Sequence, residues 1–306
     1  MNSKKHFNLP NQERYMAQSM HDIKRRIKSI SSIKKITRAM ELVSSAKLTK
    51  ASSRLKKSRP FYYTILRDTQ QLLHALGDVD HSLLEKREIN KFLCIVISDD
   101  RGMSGGYNNN IVKTTETLIN NKEHDVDLIL IGRKSINYFK RKDYSILKEY
   151  TGISEDPQFD HVQEICNYVL KLYENKKVDK VEIIYTQFVN NISQEPQVVQ
   201  ILPIEKFVQV KERKNKVIDF DPSVEDVLDY LIPKYVASSI YGALVEASCS
   251  EQAARRFAME TATDNAEEII DELKNTYNKA RQSAVTTEIA EIISGAQAVK
   301  TDDSNL

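Results

Sequence analysis

The stretch from Asp22 to Pro60, DIKRRIKSISSIKKITRAMELVSSAKLTKASSRLKKSRP, decides the fold. It holds no glycine, and its one proline stands at its very end. Nothing in it therefore interrupts a helix by backbone entropy or by a missing donor. The apolar residues Ile23, Ile27, Ile30, Ile33, Ile36, Met40 and Val43 step by 4, 3, 3, 3, 4 and 3. That spacing predicts a helix with a coiled-coil seam and one short step, a stammer, between Ile30 and Ile33. No further Gly or Pro occurs up to Leu76, and Pro60 is expected to kink the helix, because its ring displaces the carbonyl one turn back. A helix from Asp22 to Leu76 would run roughly 80 Å, whereas a globule of this chain length has a radius of gyration of roughly 19 Å. Such an element cannot be folded into one ball.

A second stretch of the same kind closes the chain. From Ala243 to Ser294 there is neither Gly nor Pro. Ile270, Leu273, Tyr277, Ala280 and Ala284 step by 3, 4, 3 and 4, with Ile289, Ile292 and Ala296 continuing an apolar face. Charge makes the two stretches complementary. Asp22 to Arg59 carries 13 basic and 2 acidic residues, whereas Leu244 to Val299 carries 5 basic and 10 acidic. Opposite fields of this kind favour association. With one helix at each end of the chain and other elements between, antiparallel pairing is the simplest topology.

The middle reads differently. Phe92–Ile97 and Leu128–Ile131 are short apolar runs bounded by turns, each followed by a helical pattern, near Asn110–Asn121 and Lys134–Lys142. A further helix fits His161–Tyr173, and Val181–Phe188 with Val198–Leu202 reads as a strand pair joined across Asn190–Pro196. This punctuation predicts a small α/β domain. The expected organisation is a disordered extension over 1–19, an N-terminal coiled-coil helix over 20–77, a central α/β domain with linker over 78–221, a C-terminal coiled-coil helix over 222–299, and a disordered tail over 300–306. Ile204 to Asp221 is read as linker, with Pro222 and Pro233 preceding or opening the last helix.

Composition excludes several function classes. The 306 residues hold 45 Lys or Arg against 43 Asp or Glu, a net charge of +2, and mean hydropathy is -0.48. The longest apolar run, Phe92–Ile97, is far short of the roughly 20 residues a membrane helix needs. Met1 to Pro10 lacks the apolar core of a secretory signal, and Cys94, Cys166 and Cys249 form no closely spaced pair, which points to a reducing cytosol. The six histidines show no metal-ligand spacing, so neither a metal nor a cofactor is expected. The loop Ser98-Asp99-Asp100-Arg101-Gly102-Met103-Ser104-Gly105-Gly106-Tyr107 sits at a strand end, where phosphate sites occur. It matches neither the P-loop nor the dinucleotide fingerprint, so a structural turn and a nucleotide site both stand as readings. The cationic first helix likewise admits a nucleic-acid surface or a partner-facing stripe, and the absence of aromatic residues from Ile23 to Pro60 argues against single-strand binding.

The residues themselves carry a family resemblance. Asp22-Ile23-Lys24-Arg25-Arg26-Ile27 and Lys35-Ile36-Thr37-Arg38-Ala39-Met40-Glu41-Leu42-Val43 resemble the first long helix of the gamma subunit of F-type ATP synthases, and Ser98 to Asn108 resembles a Gly-rich segment of that family. Ser250-Glu251-Gln252-Ala253-Ala254-Arg255, Ala262-Thr263-Asp264-Asn265-Ala266 and Tyr277-Asn278-Lys279-Ala280-Arg281-Gln282 resemble its last helix. The resemblance covers about Met16 to Val299. It implies an α/β protein with a long antiparallel coiled coil, in which the N- and C-terminal helices form a shaft and a central Rossmann-like domain forms the foot.

By resemblance, the function is that of a non-catalytic central-stalk rotor. It would couple ion flow through a membrane c-ring to ATP synthesis or hydrolysis in a ring of alpha and beta subunits, with epsilon docked on the foot. The resemblance further implies no nucleic acid, no membrane insertion, and a peripheral place at the cytoplasmic face of a bacterial plasma membrane. Beta-subunit contacts carry over to Met40, Arg255, Arg281, Gln282 and Thr286. Ser104 stands where the family commonly has cysteine, and Asp99 where it has serine, while Met1 to Tyr15 precede the usual start. The identity of the coupled ion belongs to the c-ring.

Overall fold

The computed structural model describes residues 9–76, 81–85, 87–121, 125–204 and 223–302, with backbone alone for 9–19 and 295–302. Among the described residues the elements follow in the order α1 (Leu9–Leu76), β1 (Lys91–Ile97), α2 (Tyr107–Asn120), β2 (Asp125–Ile131), α3 (Arg133–Phe139), β3 (Ser145–Tyr150), α4 (Phe159–Glu174), β4 (Lys180–Phe188), β5 (Gln194–Leu202) and α5 (Val224–Asp302). They divide into two compact bodies, residues 1–40 with 259–306 and residues 41–258.

The first body is a pair of helical segments. Lys34 pairs with Glu267 at 2.9 Å, Lys24 lies over the Tyr277 ring at 5.4 Å, and the hydroxyls of Thr37 and Thr263 are 2.8 Å apart. The partner's number falls as the number along α1 rises, so the segments run antiparallel, as expected. The ion pair joins the basic helix to the acidic one.

The seam differs from the expected one. On α1 Ile23, Ile27, Ile30 and Lys34 are half-buried and Thr37 is buried, with steps of 4, 3, 4 and 3, and Asp22 and Ser31 at the flanks of this stripe are half-buried too. There is no stammer. Ile33 and Ile36 lie off the seam, 46% and 59% exposed. On α5, Met259, Thr263, Ala266 and Ile270 are buried, and Leu273, Tyr277, Ala280 and Ala284 continue half-buried. Ile289 and Ile292, expected on that face, are exposed, and the side chain of Ala296 lies outside the described residues. A helix of 3.6 residues per turn, slightly underwound, keeps a stripe in contact only through alternating steps of 3 and 4. Two polar residues therefore occupy seam positions that isoleucines were expected to fill.

The second body is built on a five-stranded sheet of order β3-β2-β1-β4-β5. The first four strands are parallel, and β5 returns antiparallel to β4. Strands buried on both faces need apolar residues at every position, which is why β1 reads as a continuous run. Leu93, Ile95 and Ile97 point into a core with α4 and with parts of α1 and α5, while Cys94 and Val96 point into a second core with α2 and α3. Within this body α1 and α5 also pack on one another, through Leu48, Ala51 and Leu55 against Val245, Cys249 and Ala253. Here Gly242 is a matter of space, since a Cβ on it would come within 3.1 Å of the Tyr62 ring.

Several boundaries shift. Helix α1 begins at Leu9, so 9–19 are helical rather than disordered, and 1–8 lie outside the described residues. It continues through Pro60 without ending. Pro233 sits inside α5 rather than opening it, where buried Ile232, Tyr235 and Val236 hold the helix across the missing donor. Pro222 and the linker from 205 onward lie outside the described residues, as do 303–306. Strand β3 was not expected.

Candidate functional site

The Gly-rich loop leaves β1 at its carboxyl end, the edge where α/β sheets commonly bind ligands. Here the loop is occupied by its own chain. Asp99 is fully buried, and its Oδ1 accepts the amide of Gly102 at 2.8 Å. Its Oδ2 accepts the Ser104 hydroxyl at 2.8 Å and Arg255 Nη2 at 3.0 Å. Arg255 also donates from Nε to the Gly102 carbonyl at 3.1 Å and from Nη1 to Glu251 Oε1 at 2.8 Å. One guanidinium from α5 thus fastens a loop that lies more than 150 residues away in sequence. The neighbouring Asp100 accepts the amides of Arg133 at 3.1 Å and Gly152 at 2.9 Å, and the Ser154 hydroxyl at 3.1 Å. Asp99 and Asp100 therefore act as internal caps for loop backbone. The structural-turn reading of the loop is the one the geometry supports.

A close crossing explains the glycine that opens α3. Gly132 has φ of +97°, and a Cβ there would stand 2.2 Å from the Ser98 carbonyl oxygen, so the ends of β1 and β2 meet only if this residue has no side chain.

The electrostatics are those of a buried ion cluster. Burial raises the Glu251 carboxyl to about 7, against the pull of Arg255, with Asp99 and Glu155 adding to the rise. Burial, and then the charges of Glu251 and Asp99, push Tyr107 well above the usual phenol value, and its hydroxyl donates to the Ala247 carbonyl at 3.3 Å. Around the cluster, Glu155 pairs with Lys47 of α1 and with Arg101 at 3.1 Å, and Asp156 pairs with Arg54. The segment before α4 is thereby tied to α1, and Ser248 of α5 donates to the Glu155 carbonyl at 2.9 Å. Among the described residues no group of carboxylates, histidines and cysteines could hold a metal ion. No described helix is long and apolar enough to cross a membrane.

The five residues expected at partner contacts fall in different settings. Met40 is half-buried in the first body. Arg281, Gln282 and Thr286 are exposed along one stretch of α5, where Thr286 donates to the Gln282 carbonyl at 2.9 Å. Arg255 belongs to the second body and is only 5% exposed, held by three groups of its own chain. Sequence reasoning quoted Asp99 and Glu251 within longer runs without giving either a role, and did not single out Glu155. A weak signal existed in an acidic pair at a strand end and in Glu251 one helical turn before Arg255. Of the cations on the first helix, Lys34, Lys47, Arg54 and Arg59 are in ion pairs with acidic residues, which leaves less of a phosphate-binding surface than their number suggested.

Comparison with known proteins accounts for this architecture. The family model described as ATP synthase matches residues 19–299. The chain is 46% identical to the ATP synthase gamma chain of Alkaliphilus metalliredigens, over 93% of this chain and all of the relative. It is 40% identical to the sodium ion specific gamma chain of Acetobacterium woodii, again over 93% and 100%. Among solved structures, it resembles a chain of the Tetrahymena thermophila mitochondrial ATP synthase central stalk and c-ring, with TM-score 0.60 and 28% identity, over 74% of this chain and 99% of that one. A Euglena gracilis mitochondrial ATP synthase chain, at 19% identity and TM-score 0.67 over 92% and 95%, shares the fold. The internally satisfied loop, the paired end helices and a match running nearly the whole length agree: this chain belongs to the ATP synthase gamma-chain family, as a central-stalk subunit that is not itself catalytic.

Proposed function

We propose that this gamma chain is the rotor through which a c-ring, turned by ion flow, drives the catalytic sites of a surrounding ring of alpha and beta subunits. The observation that carries the reading is the full-length match to gamma chains by a chain whose two end segments pair as antiparallel helices. A rotor needs stiffness and asymmetry. Long helices supply the first, and the different residues exposed around them supply the second. Each beta subunit would meet a different face in turn, and differential contact is what shifts a site between conformations of unequal nucleotide affinity.

Met40, Arg281, Gln282 and Thr286 are proposed to meet beta-subunit loops. Arg255 is proposed to act indirectly, by fixing the loop that presents exposed Arg101 and Met103. Epsilon and the c-ring are assigned to the sheet domain, and the complex to the cytoplasmic face of the plasma membrane. Purification of a tagged copy from its own cells, followed by native mass and ATPase assay, tests the reading. One copy recovered with three alpha and three beta chains and ATP hydrolysis is the expected result. Recovery alone, or with nucleic acid, would overturn it.

A further inference from the structure

Two buried carboxylates, Asp99 and Glu251, bracket one buried guanidinium, Arg255. One negative charge in this cluster is left without a cation of its own, which is costly at a buried site. The two carboxylates are not equivalent. Asp99 accepts three donors spread over both oxygens. Glu251 takes its donors, Arg255 and Gln252, on Oε1 alone, while Oε2 is buried without a partner. Glu251 also lines a cavity of about 270 Å³ shared with Asp100, Arg101, Arg133, Ser154 and Glu155. The cations at that cavity are already engaged, Arg101 with Glu155 and Arg133 beside Asp100.

We propose that Glu251 is a proton-operated latch on the Gly-rich loop. With a proton on Oε2, the Arg255 guanidinium is shared among Asp99, the Gly102 carbonyl and Glu251 Oε1 as in the structure; without it, a second full negative charge strengthens the hold of Glu251 on Arg255 at the expense of Asp99 and the Gly102 carbonyl and slackens the loop. The charged and titratable groups that face the site come from every neighbouring element. Arg255 lies on α5; Asp99, Asp100 and Arg101 lie on the loop; Tyr107 begins α2; Arg133 begins α3; Glu155 precedes α4; and Lys47 of α1 reaches the site through Glu155. Burial, together with the nearby Asp99 and Glu155, favours the neutral form of Glu251 below about pH 7 and so agrees with this geometry.

The test uses the full chain with carboxyl-labelled glutamate, followed by NMR across pH, the Glu251 signal being identified by its loss in Glu251→Gln and, should that variant fail to fold, in Glu251→Asp. A titration midpoint between about 6 and 8 supports the proposal, and one below about 5, with the ordinary carboxylates, overturns it. Hydrogen exchange at the Gly102 amide, which donates to Asp99, provides a second readout on the unaltered chain. Corrected for the intrinsic rate, it is expected to speed up about tenfold from pH 6 to 8.5, the factor that one pH unit of linkage carries. An exchange rate flat across that range would overturn the latch.

Discussion

The two end helices pair within each body, yet the two seams are filled very differently. In the second body Leu48, Ala51 and Leu55 are buried against Val245, Cys249 and Ala253, with a sheet domain beneath. In the first, Ile23, Ile27 and Ile30 face α5 only half-buried, Lys34 and Thr37 take seam positions, and Ile33, Ile36, Ile289 and Ile292 are exposed. The second segment is stabilised by its own chain. The first leaves several isoleucines uncovered by its own helices. Helical period says that two helices meet; only the identity of the seam residues says whether their meeting is sufficient.

This contrast can be broken most sharply at Arg255. Arg255→Ala leaves two buried carboxylates without their cation and is expected to cost about 3–5 kcal/mol in denaturant unfolding of the chain. A loss under about 1 kcal/mol would show that the loop is held by other means. Leu93→Ala opens a void in the middle of the sheet and should cost about 2–5 kcal/mol by the same measurement.

Glu251→Gln sharpens the comparison through pH. The folded carboxyl titrates near 7 and the unfolded one near 4.5, so the folded chain holds a proton that the unfolded chain has released between those values. Stability of the unaltered chain relative to the variant is therefore greatest below pH 4.5 and falls as pH rises to about 7, by about 1.4 kcal/mol per unit at most. Melts at pH 5 and pH 7.5 would show it, and parallel curves for the two proteins would contradict it.

In the first body effects should be small. Leu273→Ala, at a half-buried seam position, is expected to cost about 1 kcal/mol. Arg281→Ala with Gln282→Ala should change the isolated chain by less than about 0.5 kcal/mol and leave its helix content intact, while impairing assembly or turnover of the ATPase. Full activity in that double variant would remove these residues from the proposed partner contact.

Much of the fold was legible because it follows from local rules. The run Phe92–Ile97 announced a strand buried on both faces, and the absence of breakers announced both long helices. Strand β3 was hidden because its six residues include Lys148 and Glu149, and its half-exposed place at the sheet edge demands no apolar run. The seam was misread for a related reason. Isoleucines at 33 and 36 mark a surface that faces outward from this chain, whereas Lys34 and Thr37, which look solvated on paper, face the partner helix. The expected contact residues came from resemblance. The cluster of Asp99, Arg255 and Glu251 left only a weak trace in the sequence, because the ion pair spans 156 positions and exists only once α5 lies beside the sheet.

The antiparallel register of the first body has a further use. Thr37 meets Thr263, and Lys34 meets Glu267, so the paired numbers sum to 300 or 301. A constant sum makes the pair a ruler that can be shortened. Removing seven residues from α1 and the facing seven from α5 returns every later position to the same face and the same opposite residue, because seven is the repeat of the seam. Removing four or five from one helix alone would rotate the remaining surface and set polar residues against the wrong neighbours. The length of this helix pair is thus editable in whole heptads while its interface stays the same.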